Sequence, residues 1–318
     1  MTSARGSSNT IKWSPDGSKL AFVSNRTDHS FIDVYIDPKT PITWIEPSLG
    51  KDVSPRWSPD GKKIAFIRIP GAVTDKGGPG GIAASGARTR QDPAPQAIPA
   101  TAERDRNQHK PWAIWTADVA SGKGSQLWKA PETSRGSIPT TDGSTNLFWA
   151  AGDRITFLSY QDGWPHMYSM IATGGEPLLL TPGNFMVEQV KLTSDGKWLV
   201  FSINGGPDSM DIDRRNVARV PVDKTAMEML TTGVELETYP VITGDMNTEA
   251  MFSATGQRPE LPAIKNLTKG TTALIGEQLL PKDFPISMMI IPKQVIFSSP
   301  DGTKVHPQLF EPSKSNVL

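Results

Sequence analysis

The chain has 318 residues, 37% hydrophobic and 21% charged, which is enough apolar material for a core of ordinary globular size. Thirty-three basic residues balance thirty-three acidic ones, so no global field draws the protein to nucleic acid or to an anionic membrane surface. The absence of cysteine excludes disulfides, thiolate metal sites and a cysteine nucleophile while leaving the compartment open, and neither an apolar leader core nor an apolar run long enough for a membrane span is seen.

In chain order, the sequence is a series of short strands punctuated by Gly and Pro. Thr10–Trp13, Lys19–Ser24, Phe31–Ile36 and Pro41–Ile45 form a first group, with Ser14-Pro15-Asp16-Gly17 between its first two strands. The core of that group returns as "RWSPDGKKIAFIR" at Arg56–Arg68, followed by outer strands "WAIWTADV" from Trp112 and "SQLWKA" from Ser125. Gly71–Lys110, rich in Gly, Pro, Ala and Arg and lacking apolar periodicity, is expected to be a long loop inserted in this second group. A third group runs "NLFWA", "RITFLS", "HMYSMI" and "PLLLT", a fourth "VEQVKL", "WLVFSI", "NVARVPV" and "MEMLT", and a fifth "YPVIT", "EAMFSA", "PAIKNL" and "TALIGE". Phe22, Phe66, Phe157, Phe201 and Phe252 mark their second strands at separations of 44, 91, 44 and 51 residues, the insertion accounting for the second gap. Four short strands per repeat spell a propeller blade. The expected fold is therefore all-β, a β-propeller of four-stranded antiparallel blades, about five of them recognisable, over residues 1–283.

The repeated motif has a local explanation. Pro15 and Pro59 preset φ at the second position of a type I turn, Asp16 and Asp60 suit the third, and Gly17 and Gly61 the fourth. Turn chemistry is thus the expected role of both aspartates, ahead of metal ligation or catalysis. Trp13 and Trp57 end the strand before the turn, where a large ring can fill the space between adjoining blades. "TSDG" at Thr193–Gly196 is a weaker third copy.

The Trp-Ser-Pro-Asp-Gly turn followed by Lys-Ile-Ala-Phe resembles the propeller repeat shared by the Tol-system periplasmic propeller and by the propeller domains of prolyl oligopeptidase-type serine peptidases. "DRITFLSYQDGWPHMYSM" at Asp153–Met170, "DIDRRNVARVPVD" at Asp211–Asp223 and "FPISMMIIPKQVIFSSPDGTKVHPQLFEPSK" at Phe284–Lys314 are similar to the dipeptidyl peptidase IV-like branch of that family. The resemblance runs from Ile11 to Pro312 and is most specific in the last segment, so residues 284–318 read as an exit from the propeller toward an α/β-hydrolase domain. What it implies is a non-catalytic propeller that gates and helps to bind peptide substrates, with the Ser-Asp-His triad supplied by the hydrolase domain. A periplasmic or secreted location fits the family. The other reading is a free-standing Tol-like propeller that binds protein partners.

The residues agree in offering no serine nucleophile. No Gly-x-Ser-x-Gly elbow occurs, so the chain is expected to be inactive alone. Ser194 to Lys197 matches Ser-x-x-Lys only within a hairpin turn, and Gly78 to Ala83 mimics a dinucleotide fingerprint without a following helix. His29, His109, His166 and His306 show no metal spacing, so neither metal nor cofactor is expected.

Blade topology sorts the remaining candidates, because the turns after first and third strands share one face and the loops after second and fourth strands the other. Length, charge and aromatic content gather in the second set, as binding residues do on loops held by a rigid scaffold. There Glu188, Glu235 and Glu237 are candidates for a peptide ammonium group, Arg214 and Arg215, with Asp213 beside them, for a carboxylate or carbonyl, and Trp164 and His166 for stacking or proton transfer. The competing reading is a solvated ion network. Dipeptidyl peptidase IV relatives hold the substrate amino terminus with two adjacent glutamates, whereas this chain has Glu188-Gln189, a departure that speaks against aminodipeptidase specificity. The expected partners are a peptide and a C-terminal hydrolase domain. Five blades are fewer than the resemblance implies, so the ring is expected to be incomplete, and its unpaired edge strands predict either marginal stability or self-association into a homo-oligomer.

Overall fold

A computed structural model describes residues 6–26, 28–70, 111–139, 141–142, 145–206, 208 and 211–311; the expected insertion at Gly71–Lys110 lies outside them. Each copy of the turn motif folds as a hairpin. Gly17 N–H donates to the Ser14 carbonyl at 2.9 Å with φ at 70°, a left-handed conformation that suits glycine, while Asp16 accepts from the Ser14 hydroxyl at 2.6 Å and the Ser18 amide at 3.1 Å. Ser58 and Asp60 repeat this at 2.6 Å, Thr193 and Asp195 at 2.7 Å, and Thr243 and Asp245 at 2.5 Å. Proline is therefore dispensable: a hydroxyl, one intervening residue and an aspartate carry the turn. These hydrogen bonds hold the Asp16, Asp60, Asp195 and Asp245 carboxyls below the usual carboxylate range.

Five groups of four strands follow, consistent with propeller blades. The first is β1 (Ser7–Trp13), β2 (Leu20–Asn25), β3 (Ser30–Tyr35) and β4 (Thr43–Ile45); the second β5 (Lys51–Trp57), β6 (Lys63–Ile69), β7 (Ala113–Asp118) and β8 (Gly124–Lys129). The third is β9 (Leu147–Ala150), β10 (Arg154–Ser159), β11 (His166–Ile171) and β12 (Leu178–Leu179). The fourth is β13 (Val187–Leu192), β14 (Trp198–Ile203), β15 (Asn216–Pro221) and β16 (Glu228–Met229), and the fifth β17 (Leu236–Ile242), β18 (Thr248–Thr255), β19 (Arg258–Asn266) and β20 (Thr271–Leu274). Strands pair antiparallel in chain order within each group, and a single parallel bridge from Ser30 to Lys51 joins the first two into one sheet. The chain divides into two compact units, one running to Gly163 and taking in Met170–Pro177, the other holding Trp164–Ser169 and everything from Leu178.

Within each unit the blades meet in the same way. In the first, Ala21, Val23, Ile32, Val34 and Ile45 pack against Trp57, Ile64 and Phe66 of the next blade, and the Trp57 indole N–H donates to the Lys12 carbonyl at 2.9 Å. In the second, Val200 and Val217 pack against Ile242 and Met251. Backbone bonds add to this joint: the Glu237 amide donates to the Arg215 carbonyl at 3.0 Å, and the Val187 amide to Pro165 at 2.9 Å. Trp13, expected to fill the same kind of gap, is instead exposed.

The first strand of four blades carries one residue in the left-handed region three positions before its end, Thr10, Ser54, Gln189 and Tyr239, and in the third blade Asn146 does so immediately before β9; φ lies between 44° and 58°. In four of the blades a β-bulge accompanies it, shifting the register against the second strand.

Register also corrects the phenylalanine repeat. Leu20 stands opposite Trp13, Ile64 opposite Trp57, Ile155 opposite Trp149 and Leu199 opposite Leu192, while Glu249 stands opposite Ile242. The phenylalanine place in the fifth blade, two residues on, is therefore Met251; Phe252 points the other way and is 40% exposed. The same alignment puts a fully buried glutamate where the other four blades have leucine or isoleucine. Neither Glu249 carboxyl oxygen meets a hydrogen-bonding group of the protein, and Lys265, opposite it on β19, donates instead to the Leu230 carbonyl at 2.8 Å. Burial, and then the charge of Glu237, push the Glu249 carboxyl up to about 7 against the opposing pull of Lys265.

Two outcomes follow from these joints. Trp57→Ala opens a cavity between the first two blades and is expected to cost about 3–5 kcal/mol in urea unfolding, whereas Trp57→Phe, which loses the Lys12 hydrogen bond but keeps a ring, costs roughly half of that. Equal losses would show that the ring itself contributes nothing. For Glu249 the folded value lies above the ordinary 4.5, so the unfolded chain releases its proton first and stability falls as pH rises from about 4.5 through about 7. Glu249→Leu removes this dependence, and its advantage over the wild type should grow by about 3 kcal/mol between pH 4.5 and pH 8. A pH-independent difference would place the Glu249 carboxyl in water.

Candidate functional site

The loop between β14 and β15 carries a dense run of charge, "DIDRR", and its own side chains fold it. Arg215 Nε donates to the Glu188 carboxylate at 2.5 Å, and its terminal nitrogen reaches the carbonyls of Ile212, Asp213 and Arg214 at 3.2, 3.3 and 3.0 Å. Both members of the Glu188–Arg215 pair are largely shielded from water, so their attraction is screened less than that of a surface pair. Arg214 makes an ion pair with Asp211 at 2.9 Å and donates to the Val234 carbonyl. The guanidinium groups thus hold Asp211–Arg215 in place, and Arg215 is engaged in doing so.

The segment after the fifth blade comes back to this loop. From Gly276 it runs through short turns into two ribbons, β21 (Lys293–Gln294) with β24 (Gln308–Leu309), and β22 (Phe297–Ser298) with β23 (Lys304–Val305). The turn between β22 and β23 is another copy of the repeated motif, with Gly302 N–H on the Ser299 carbonyl at 2.9 Å. Two side-chain amides tie the segment down: Gln257, at the β18–β19 turn, donates to the Met289 carbonyl at 3.1 Å, and Gln308 donates to Asp213 at 2.8 Å.

Between loop and segment lies a pocket of about 360 Å³. Asp211, Asp213 and Arg214 supply its charged side, Leu236, Ile291 and Phe310 its apolar side, and Gly256 leaves room beside Ile291 and Pro292. The arrangement offers two carboxylates for N–H or ammonium donors, a guanidinium edge for a carbonyl, and an apolar wall for a side chain.

The other sequence candidates fall elsewhere. Glu235 is partly exposed in the loop before β17, and Glu188 is committed to Arg215. Glu237, expected at an ammonium-binding surface, is buried between the fourth and fifth blades, where Thr231 donates to its carboxyl and burial raises its pKa. The three glutamates therefore do not form one anionic surface. In the second blade the buried Asp52 has Arg68 directly opposite at 2.7 Å, but Ser253 faces Glu237. His166 is buried at the start of β11 with its ring edge-on to Phe185 at 5.2 Å, and Trp164 is partly exposed just before it. Sequence reasoning misses the apolar wall: Ile291 and Phe310 lie in the exit segment, which reads in the sequence only as a connection. Among the described residues no group of three His, Asp or Glu is placed to hold a metal ion, and no helix is long and apolar enough to cross a membrane.

No family model matches the chain, and no curated protein matches it. Solved structures do. Dipeptidyl peptidase 4 from Porphyromonas gingivalis is 13% identical with a TM-score of 0.64 over 96% of this chain and 42% of its own. A puromycin-hydrolyzing peptidase from Mycobacterium tuberculosis is 14% identical with a TM-score of 0.61 over 94% of this chain and 41% of its own. An oligogalacturonate lyase from Vibrio parahaemolyticus is 11% identical with a TM-score of 0.57 over 96% of this chain and 78% of its own. The chain spans about two-fifths of the length of the peptidases it matches. At these identities the likeness establishes the fold: the chain is built of β-propeller blades of the kind found in these peptidases.

Proposed function

We propose that this chain is the propeller portion of a serine-type peptidase, a non-catalytic part that admits and helps to hold peptide substrate for a C-terminal hydrolase domain. The observation that carries the reading is the pocket at Asp211–Arg214 and Phe310, because peptide recognition needs hydrogen-bonding groups of both kinds beside an apolar wall. A main-chain carbonyl would accept from Arg214, a main-chain N–H or a terminal ammonium would donate to Asp211 or Asp213, and a neighbouring side chain would rest on Leu236, Ile291 and Phe310. Arg215 and Glu188 act through the loop by positioning it. Proton transfer and nucleophilic attack are left to the hydrolase domain, since no nucleophile elbow occurs in the sequence. The likeness to the lyase points to a polyanionic sugar, but such a ligand would need a cationic cleft, and this pocket sets two carboxylates against one arginine that Asp211 already pairs.

Fluorescence anisotropy with labelled tetrapeptides that carry a free amino terminus and one apolar residue tests this reading. Saturable binding is expected, weakened about tenfold by Arg214→Ala and similarly by Phe310→Ala, while Asp16→Ala at the first-blade turn leaves it unchanged; tenfold corresponds to about 1.4 kcal/mol. No chromogenic peptide should be cleaved by the chain alone. Binding that ignores both substitutions, or hydrolysis by this chain, would overturn the proposal.

A further inference from the structure

Every blade has two faces, and the two joints described above show what each face does. The face that carries the second-strand phenylalanine, or Met251 in its place, meets the preceding blade; the opposite face receives the following one. At two places in the described residues a face of this kind is left open. On the first blade, Trp13 is 66% exposed, and Ile11, Leu20, Phe22 and Tyr35 line an apolar cleft of about 520 Å³. On the fifth blade, Val241 is 50% and Phe252 40% exposed beside Tyr239 and Ile264, with the rings of Tyr239 and Phe252 edge to face at 6.2 Å.

These two surfaces correspond, residue by residue, to the two halves of the joint seen between the first and second blades. The first-blade face holds the residues that correspond to Trp57, Ile64 and Phe66, namely Trp13, Leu20 and Phe22. The fifth-blade face holds those that correspond to Ala21, Val23, Ile32 and Val34, namely Ala250, Phe252, Pro262 and Ile264. Lys12, whose carbonyl takes the Trp57 indole N–H, corresponds to Val241. We propose that the chain self-associates head to tail, the open face of the first blade in one copy docking on the open face of the fifth blade in another, with the Trp13 indole donating to the Val241 carbonyl. A second copy is the occupant the observations favour, because one chain carries both complementary halves and each is apolar enough to need cover. Such a contact is heterologous, so it adds copies until a ring closes or a filament grows.

Sedimentation velocity across the micromolar range is the test. The wild-type chain should sediment faster as its concentration rises, and Trp13→Asp and Phe252→Asp, both at exposed positions, should each remain monomeric with unchanged circular dichroism. An equimolar mixture of the two variants should then form a dimer and nothing larger, because one variant retains an intact first-blade face and the other an intact fifth-blade face. Cross-linking gives a second reading. A Cβ on Gly61 would stand 3.9 Å from the Ser14 Cβ, a span that a disulfide bridges, and Gly17 and Thr243 hold the corresponding positions across the proposed contact. Mixed Gly17→Cys and Thr243→Cys chains, which have no other cysteine, should oxidise to a disulfide-linked pair. A wild-type chain that sediments as a monomer throughout would overturn the proposal. So would a mixture that fails to associate, or a Gly17→Cys/Thr243→Cys double variant that cross-links only within itself.

Discussion

A four-stranded antiparallel blade has two apolar faces and can cover neither by itself. The structure depends on that deficit, because it makes every blade the solvent-exclusion device of the next. Trp57 is the clearest case: its ring fills the gap that the first blade leaves, and its one polar atom finds the Lys12 carbonyl, so the burial of a large side chain leaves no donor unsatisfied. Ile242 does the apolar half of the same work in the other unit without the hydrogen bond. The backbone bonds from Val187 to Pro165 and from Glu237 to Arg215 fix the distance at which such side chains meet. Stability of this kind is a sum over neighbours, each blade contributing a surface that gains value only when the adjoining surface is present.

Much of this was legible in the sequence, for identifiable reasons. Turns are local, so Ser14-Pro15-Asp16-Gly17 and its copy could be read directly, and strand patterns gave the four-strand unit. What could not be read was register. "EAMFSA" matches the other repeats by eye at Phe252, but the alignment is set from the turn, where Thr243 and Asp245 replace the more obvious Ser-Pro-Asp, and counting from there moves the core position to Met251. The same count reveals Glu249 as a buried carboxyl, of which a letter beside a turn gives no sign. The left-handed residues were illegible for a different reason: Thr10, Ser54, Asn146, Gln189 and Tyr239 share a conformation but no chemistry. The bulge belongs to the repeat's geometry, and no side chain announces it.

The pocket illustrates a similar limit. Its charged half was visible as a cluster in the sequence, but the roles within that cluster were not, since Arg214 and Arg215 are adjacent letters with different tasks. Arg215 turns inward to its own loop and to Glu188, and Arg214 is the one that lines the cavity. Most of the apolar half comes from a segment about eighty residues further on, which hydrogen bonds from Gln257 and Gln308 help to bring into place. Long-range assembly of this sort leaves no periodic trace.

The bulges in the first strands have a bearing on how such a chain can grow. A bulge frees backbone groups from the ladder, and between the fourth and fifth blades the neighbouring bulge position takes one up, the Tyr239 amide donating to the Gln189 side chain at 2.8 Å. At the second blade's bulge the Ser54 hydroxyl shares a hydrogen bond with the Thr145 hydroxyl at 2.5 Å. What would be a defect within one blade is thus a fastening between two. A duplicated segment must then carry both ends of that fastening to be accepted, which favours copying whole repeats over parts of them.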